Sequence, residues 1–437
     1  MTFRRALAAG LVSGVLFALA APPLGWGFLL FAAWIPLLWG AGRSSSWKEA
    51  AVAGAAFGLA YYASLFSWIV RLEWWLYAAA VLTGAAFGAA VAASVWRVRL
   101  WPAWSRALAV ASIWSLPIWL CNNPVRPFFG TVVFLSGLHA PLPSAFLQLA
   151  RPLGETGLVF FLVLLNALTW QALEARKAAP LVIAGILGAA AWGWGAARVR
   201  AYDARTVPSP TFTLACAQTD LPFALTWRAA HQEELFKTYE GLALDAAAKG
   251  ANMVVFPQYQ LPEDIYRRPG RWGELARKTK LYIALGTDTP VEPLFGQYAW
   301  VHALVFSPDG KVVGDQPALH PSPVGRPMVV PGKQEVPVPI PGLGTVGLLP
   351  CFDDVTSRPA RLSSLAGADY LLSMANDGLF VGTIHPRLHM IRSRLRAVEN
   401  DKYLVRCVPN GISAVIDPLG RVRDSLPAGK GLLFAHW

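Results

Sequence analysis

Uncharged apolar stretches cover residues 6–42, 50–70, 74–96, 107–125, 156–173 and 178–197. Most reach the ~18–20 residues that a helix needs to cross a bilayer. The first 200 residues are therefore expected to fold in lipid rather than in water. The first stretch is about twice the spanning length, and Pro22-Pro23-Leu24-Gly25 interrupts it. It reads as two short helices joined by a tight turn, which brings the expectation to seven helices. The opening Met1-Thr2-Phe3-Arg4-Arg5 and its apolar sequel also resemble a signal peptide, but the spans that follow favour an uncleaved first helix. Residues 127–150 are apolar yet carry Pro127, Gly130, Gly137, Pro141 and Pro143. They are too broken for a regular span, and read either as a segment lying against the outer leaflet or as an ordinary packed loop. No helical stretch carries an intramembrane charge, so no proton or ion pathway is expected.

Charge divides the chain in the same place. Residues 1–200 hold 14 Lys and Arg against 4 Asp and Glu; residues 201–437 hold 24 against 22. The overall +12 is thus not a basic groove, which removes the main support for a nucleic-acid partner. Fifteen of the 19 Trp also lie in the first 200 residues, as suits rings that prefer the membrane interface. With the N-terminus in the cytoplasm, the inner segments carry Arg4, Arg5, Arg43, Lys48, Arg97, Arg99, Arg106, Arg176 and Lys177. The outer segments between helices carry Arg71, Arg126 and Arg151. That asymmetry obeys the positive-inside rule. An odd number of spans then puts residues 201–437 on the outer face of a bacterial inner membrane, in the periplasm. The expected domains are 1–200, in the membrane, and 201–437, outside it.

In the second part, strands and helices alternate. Strands are expected at Thr211–Gln218, Asn252–Phe256, Leu281–Gly286, Tyr298–Phe306, Thr345–Pro350, Asp369–Met374, Tyr403–Cys407 and Ser413–Ile416. Helices are expected at Trp227–Lys249, Arg271–Lys280 and His385–Asn400, and Pro308-Asp309-Gly310-Lys311 reads as a hairpin turn. This argues a layered α/β domain with mixed sheets. Four cysteines, Cys121, Cys216, Cys351 and Cys407, show no metal-ligand spacing and no disulfide framework. No metal and no cofactor is expected. Cys216 and Cys407 sit in apolar runs and read as small buried side chains. Cys351 differs: Gly347-Leu348-Leu349-Pro350-Cys351-Phe352-Asp353-Asp354 is an apolar strand that ends in a thiol and then acids, the pattern of a strand delivering a nucleophile.

Further segments carry a resemblance. Ala246–Gln258, the Cys351 strand, Asn376-Asp377-Gly378-Leu379-Phe380-Val381-Gly382, Arg396–Asn400, Val405-Arg406 and Asn410–Arg421 resemble the signatures of the nitrilase superfamily. With the helical half ahead of them, the whole chain resembles the apolipoprotein N-acyltransferase family. The resemblance implies a multi-helix transmembrane domain plus an α/β nitrilase-like α-β-β-α sandwich. It implies acyl transfer from a phospholipid to the N-terminal Cys amine of a lipoprotein, through a thioester on Cys351. Phe352, Asn376 and Phe380 are then expected to line the substrate pocket, with membrane lipids, the phospholipid donor and the lipoprotein as partners.

The implied Glu–Lys–Cys triad is only partly present. Where the resemblance places the glutamate stands Gln258, an amide that cannot accept a proton; where it places the lysine stands Ala318. The family's Tyr-Glu pair after the nucleophile is Phe352-Asp353, and a family acid further on is Arg326. An unperturbed thiol, with pKa ~8.5, is only a few per cent thiolate at neutral pH. Weakened or lost activity is therefore expected, with a pseudoenzyme that binds lipid, lipoprotein or a partner enzyme as the alternative. Possible substitutes are His320 as base, oriented by Asp353 or Glu263, and Arg326 as cation. The chain ends at Gly431–Trp437 without the final helix by which the family returns to the membrane, so a tether at one end is expected.

Overall fold

A computed structural model describes residues 2–122, 137–205, 212–221, 232–259, 270–290, 299–320, 330–427 and 429–436. The chain divides into two compact units, one of residues 1–203 with 382–391, the other of residues 204–381 with 392–437.

The first unit is helical. Helices run Phe3–Ala20, Ile35–Arg43, Trp47–Leu65, Trp74–Val98, Ala103–Asn122, Ala150–Ala175 and Ala178–Asp203. Helical segments thus occur where the seven were expected, but they are not equivalent. Four, Phe3–Ala20, Trp74–Val98, Ala150–Ala175 and Ala178–Asp203, are long and apolar enough to cross a membrane. Gly27–Arg43 is shorter, because a 3-10 turn over Gly27–Phe31 precedes the nine-residue helix. Asn166 supplies what that break costs. Its Nδ2 donates to the Leu30 carbonyl at 3.0 Å and its Oδ1 accepts from the Trp34 N–H at 3.3 Å. Backbone groups freed in an apolar layer need such partners. Helix Trp47–Leu65 starts on a reciprocal cap, with Ser46 Oγ accepting from Glu49 N–H and Glu49 accepting from Ser45 N–H. Its Gly54 and Gly58 face Gly88 and Gly84 of Trp74–Val98. A Cβ on Gly54 would lie 2.0 Å from the Gly88 carbonyl oxygen, so the two backbones touch where no side chain intervenes. Exposed Trp74, Trp75, Trp101 and Trp104 fit an interfacial belt. Residues 123–136, most of the broken apolar segment, lie outside the described residues; 137–149 include only the short helix Ser144–Leu147.

The second unit contains two six-stranded sheets. One has the order β12 (Gly431–His436), β1 (Thr213–Gln218), β2 (Met253–Tyr259), β3 (Tyr282–Pro290), β4 (Ala299–Phe306), β5 (Val312–Pro317). The other has the order β11 (Val422–Leu426), β10 (Ser413–Ile416), β9 (Leu404–Cys407), β8 (Tyr370–Met374), β7 (Gly344–Pro350), β6 (Val338–Ile340). Both are mixed: β1, β2 and β3 run parallel, as do β7, β8 and β9, and the rest pair antiparallel. Leu214, Cys216, Val255 and Val305 of the first sheet pack with Val346, Leu348, Leu372, Val405 and Cys407 of the second, closing one core between the sheets. Trp272, Tyr239 and Leu242 close another against Val254, Phe256 and Ile283, so helices Gln232–Ala248 and Gly270–Thr279 cover the first sheet's outer face. Helix Ser357–Leu365 lies on β7, where Gly347 leaves room for Ser363; a Cβ there would come within 2.1 Å of its Oγ. The order is α-β-β-α, the expected sandwich. Cys216 and Cys407 are buried free thiols in its centre.

Candidate active site

The parallel pair β7–β8 fixes where the site lies. Pro350 is in register with Met374, so Cys351 and the loop from Asn376 to Phe380 leave the sheet at the same end. Cys351 is half-buried and adopts φ of +54°, the left-handed region. It stands between the last residue of β7 and a 3-10 turn, Cys351–Asp354. A strand that turns sharply at a non-glycine residue projects that side chain from the sheet edge, as nucleophile elbows do.

Asp353 ties this turn to the segment after β5. Its fully buried carboxyl accepts from Leu319 N–H at 2.9 Å and from His320 N–H at 2.7 Å. The Cys351 turn and the 318–320 run are thereby brought together. Burial pushes the Asp353 carboxyl up to about 7; the two N–H donors oppose the rise and the neighbouring Asp354 adds to it. Ala318 is buried, its N–H donating to Val301 O and its carbonyl accepting from Gly332 N–H, both at 2.8 Å. The His320 ring is held elsewhere, with Nδ1 at 2.6 Å from Thr356 Oγ1. Burial, helped by Arg358, lowers it to about 4, so it is neutral and a weak base at pH 7. Asp353 thus holds the His320 backbone while Thr356 holds its ring. Gln258 is buried at the C-terminal end of β2, opposite Gly286 of β3, beside a register shift after Phe256. A Cβ on Gly286 would sit 2.7 Å from the Gln258 Cα, so glycine there permits the close approach. Phe352 is buried, while Asn376 and Phe380 are half-buried; Asn376 Oδ1 accepts from Gly378 N–H at 2.9 Å. Arg326 and Glu263 lie outside the described residues.

Behind the turn is a charge network whose roles the sequence did not reveal. Arg406 of β9 is fully buried. Its Nη1 donates to Asp354 Oδ2 at 3.1 Å and its Nη2 to Asp377 Oδ2. Asp354 Oδ2 also accepts from Ser373 at 2.8 Å and Ser393 at 2.7 Å. One planar guanidinium therefore fixes both the Cys351–Asp354 turn and the loop after β8. Glu335 is a second residue missed. It lies in the polar run Gly332-Lys333-Gln334-Glu335, which matches no motif.

This fold and the Cys351 turn can be set against known proteins. The Carbon-nitrogen hydrolase family matches residues 213–436, more than half of the chain. The chain belongs to the carbon-nitrogen hydrolase family. Its residues 13–168 match the Apolipoprotein N-acyltransferase N-terminal domain. An apolipoprotein N-acyltransferase of Geobacter metallireducens is 28% identical over 97% of this chain and 87% of its own length. One from Gloeobacter violaceus is 28% identical over 96% and 86%. Among solved structures, an amidase of the nitrilase superfamily from Nesterenkonia covers 53% of this chain and 92% of its own, at 20% identity and TM-score 0.43. The chain thus joins a helical part that matches the acyltransferase N-terminal domain to a sandwich that matches the carbon-nitrogen hydrolases, and it resembles apolipoprotein N-acyltransferases along nearly its whole length.

Proposed function

We propose that the chain is a membrane-bound acyltransferase of bacterial lipoprotein maturation. Cys351 attacks the ester carbonyl of a phospholipid, the lysolipid leaves, and the resulting thioester is resolved by the N-terminal amine of a lipoprotein. The observation that carries this reading is the strained cysteine at the end of β7, in a chain whose helical half matches the acyltransferase N-terminal domain. Residues 1–200 are the membrane part and 201–437 the catalytic domain, facing the periplasm; the basic residues of the inner loops support that orientation. Phe352, Asn376 and Phe380 line the acyl pocket.

Gln258 and Ala318 make the rate low. Removing a member of a catalytic triad costs on the order of 10⁴-fold in other enzymes, and such losses do not add. Neither His320, neutral and bonded to Thr356, nor the amide of Gln258 restores a strong base. The test uses full-length protein and a phospholipid bearing a tagged acyl chain. The tag is expected on Cys351 after long incubation, absent in Cys351→Ala, and increased by Gln258→Glu with Ala318→Lys. No thioester in either the native or the doubly substituted protein would defeat the enzymatic reading and leave a binding role for the pocket.

A further inference from the structure

Beside the nucleophile turn, one carboxyl is buried with nothing to satisfy it. Glu335 is 9% exposed, and among the described residues neither of its oxygens has a hydrogen-bond partner. Its main chain is held on both sides by Gln316, which is itself fully buried. Gln316 Nε2 donates to Gln334 O at 3.0 Å, and Gln316 Oε1 accepts from Val336 N–H at 2.8 Å. The position of Glu335 is thus fixed from β5, and its carboxyl feels that of Asp353. Three runs meet here. Residues 332–336 bond Ala318 through Gly332 N–H, Leu319 and His320 bond Asp353, and Asp353 is two residues from Cys351.

Two buried carboxyls that feel each other's charge are not both ionised without a cation. Among the described residues neither makes an ion pair. The arginine nearest in the network, Arg406, is engaged by Asp354 and Asp377. Burial, then the Asp353 charge, drives Glu335 up to about 10, and Asp353 stands at about 7. The empty pair therefore stores protons at neutral pH. Ala318, joined to the Leu319 N–H that bonds Asp353, is buried and carries only a methyl group.

We propose that Glu335 and Asp353 form a binding site for a primary ammonium group. An ammonium has three N–H donors and no acceptor, which matches the Glu335 oxygens, without donors among the described residues, and the Asp353 oxygens, each of which accepts one N–H and has a lone pair to spare. The cation enters and one proton leaves the pair, so charge is conserved. The site deepens the acyl-transfer reading, since an acceptor amine is of this class. Binding itself needs no reactive Cys351.

The probe is propylammonium, titrated by calorimetry into full-length protein in two buffers of different ionisation enthalpy. Native protein and Cys351→Ala should both bind it saturably and release a proton. Affinity should rise between pH 6 and 8 as the proton leaves Asp353, while Glu335, pushed up to about 10, keeps its own in the unbound pair. His320 is already neutral there; the other charged groups nearby are Asp354, paired with Arg406, and Arg358. Glu335→Gln should weaken binding by about tenfold or more, the loss expected of a hydrogen bond to a charged group. Tetramethylammonium, which has charge but no N–H, should not distinguish native protein from Glu335→Gln. Ala318→Lys supplies an ammonium in cis. It should abolish propylammonium binding and raise the melting temperature, which keeps the test open if Glu335→Gln fails to fold. Absence of saturable binding to the native protein overturns the site, as does binding untouched by Ala318→Lys. Binding to Cys351→Ala in a protein that never forms a thioester would retain the site and reject only the acyl-transfer reading.

Discussion

Cys351 shows how much one residue's setting adds to its identity. Among the described residues, five non-glycine residues have positive φ: Arg176, Asp220, Lys280, Cys351 and Asp401. Arg176, Lys280 and Asp401 each follow the last residue of a helix, where the left-handed conformation is a usual cap. Asp220 is of a type that tolerates it. Cys351 has neither excuse, because it joins a strand to a 3-10 turn. Strain of about 1–3 kcal/mol is held there by the surrounding structure. Glycine at 351 should relieve it, whereas alanine should keep it. Cys351→Gly is expected to melt above Cys351→Ala by the equivalent of about 1 kcal/mol, both lacking the thiol. Equal or reversed melting temperatures would mean that the turn is relaxed. The sequence read the cysteine as the end of a strand, and the structure places it there. The strain was not legible, because it depends on where the chain goes next. Glu335 was invisible for a related reason: a surface-like polar run concealed a carboxyl that folding buries.

At the scale of elements, the strands missed from the sequence are β5, β6, β11 and β12, and these are the four edges of the two sheets. A central strand is buried on both faces and reads as a continuous apolar run, as Met253–Phe256 and Tyr370–Met374 do. An edge strand has one neighbour and exposes more of itself. Val422–Leu426, with Arg423, Asp424 and Ser425 all exposed, carries almost no apolar signal. The central elements that position Cys351 were therefore readable and the rims were not. What locks those elements was readable only as a motif residue without a role. Arg406 joins β9 to the Cys351–Asp354 turn and to the loop that begins at Asn376. Replacing it with Met leaves Asp354 and Asp377 buried without their cation. A loss of about 3–5 kcal/mol in denaturant unfolding is expected, since breaking one side of a buried pair strands the other charge. Arg406→Lys should recover only part of this, because one ammonium cannot span both carboxylates in the way a planar fork does. Full stability in Arg406→Met would show that the network is dispensable and that the turn is held by Asp353 alone.

For the whole molecule, the number of crossings decides where the sandwich resides. The four long apolar helices by themselves would return residue 204 to the side of the N-terminus. An odd count needs the shorter segments to cross as well, and Gly27–Arg43 is the critical one, because its two helical pieces are joined by a break. The basic residues argue that it does. Arg43 and Lys48 join Arg4 and Arg5 on one side only if the chain comes back through Gly27–Arg43, and the same count puts Arg97, Arg99, Arg106, Arg176 and Lys177 with them. The Asn166 bonds to Leu30 and Trp34 show how such a break can persist at depth, with its backbone groups satisfied by a neighbouring helix. The grouping of residues 382–391 with the helical unit, by contrast, has no signal in composition, because His385–Asn400 reads as one uninterrupted helix. Orientation can be tested with added cysteines in a background carrying Cys121→Ser and Cys351→Ala, where the remaining Cys216 and Cys407 are too buried to react. Lys311 is exposed in the hairpin after β4, and Lys48 is exposed at the start of Trp47–Leu65. In intact spheroplasts a membrane-impermeant maleimide should label Lys311→Cys and spare Lys48→Cys, and lysis should make both reactive. Labelling of Lys48→Cys with protection of Lys311→Cys would invert the orientation. Protection of both until lysis would mean that an even number of segments crosses, which would put the sandwich in the cytoplasm, away from any periplasmic lipoprotein.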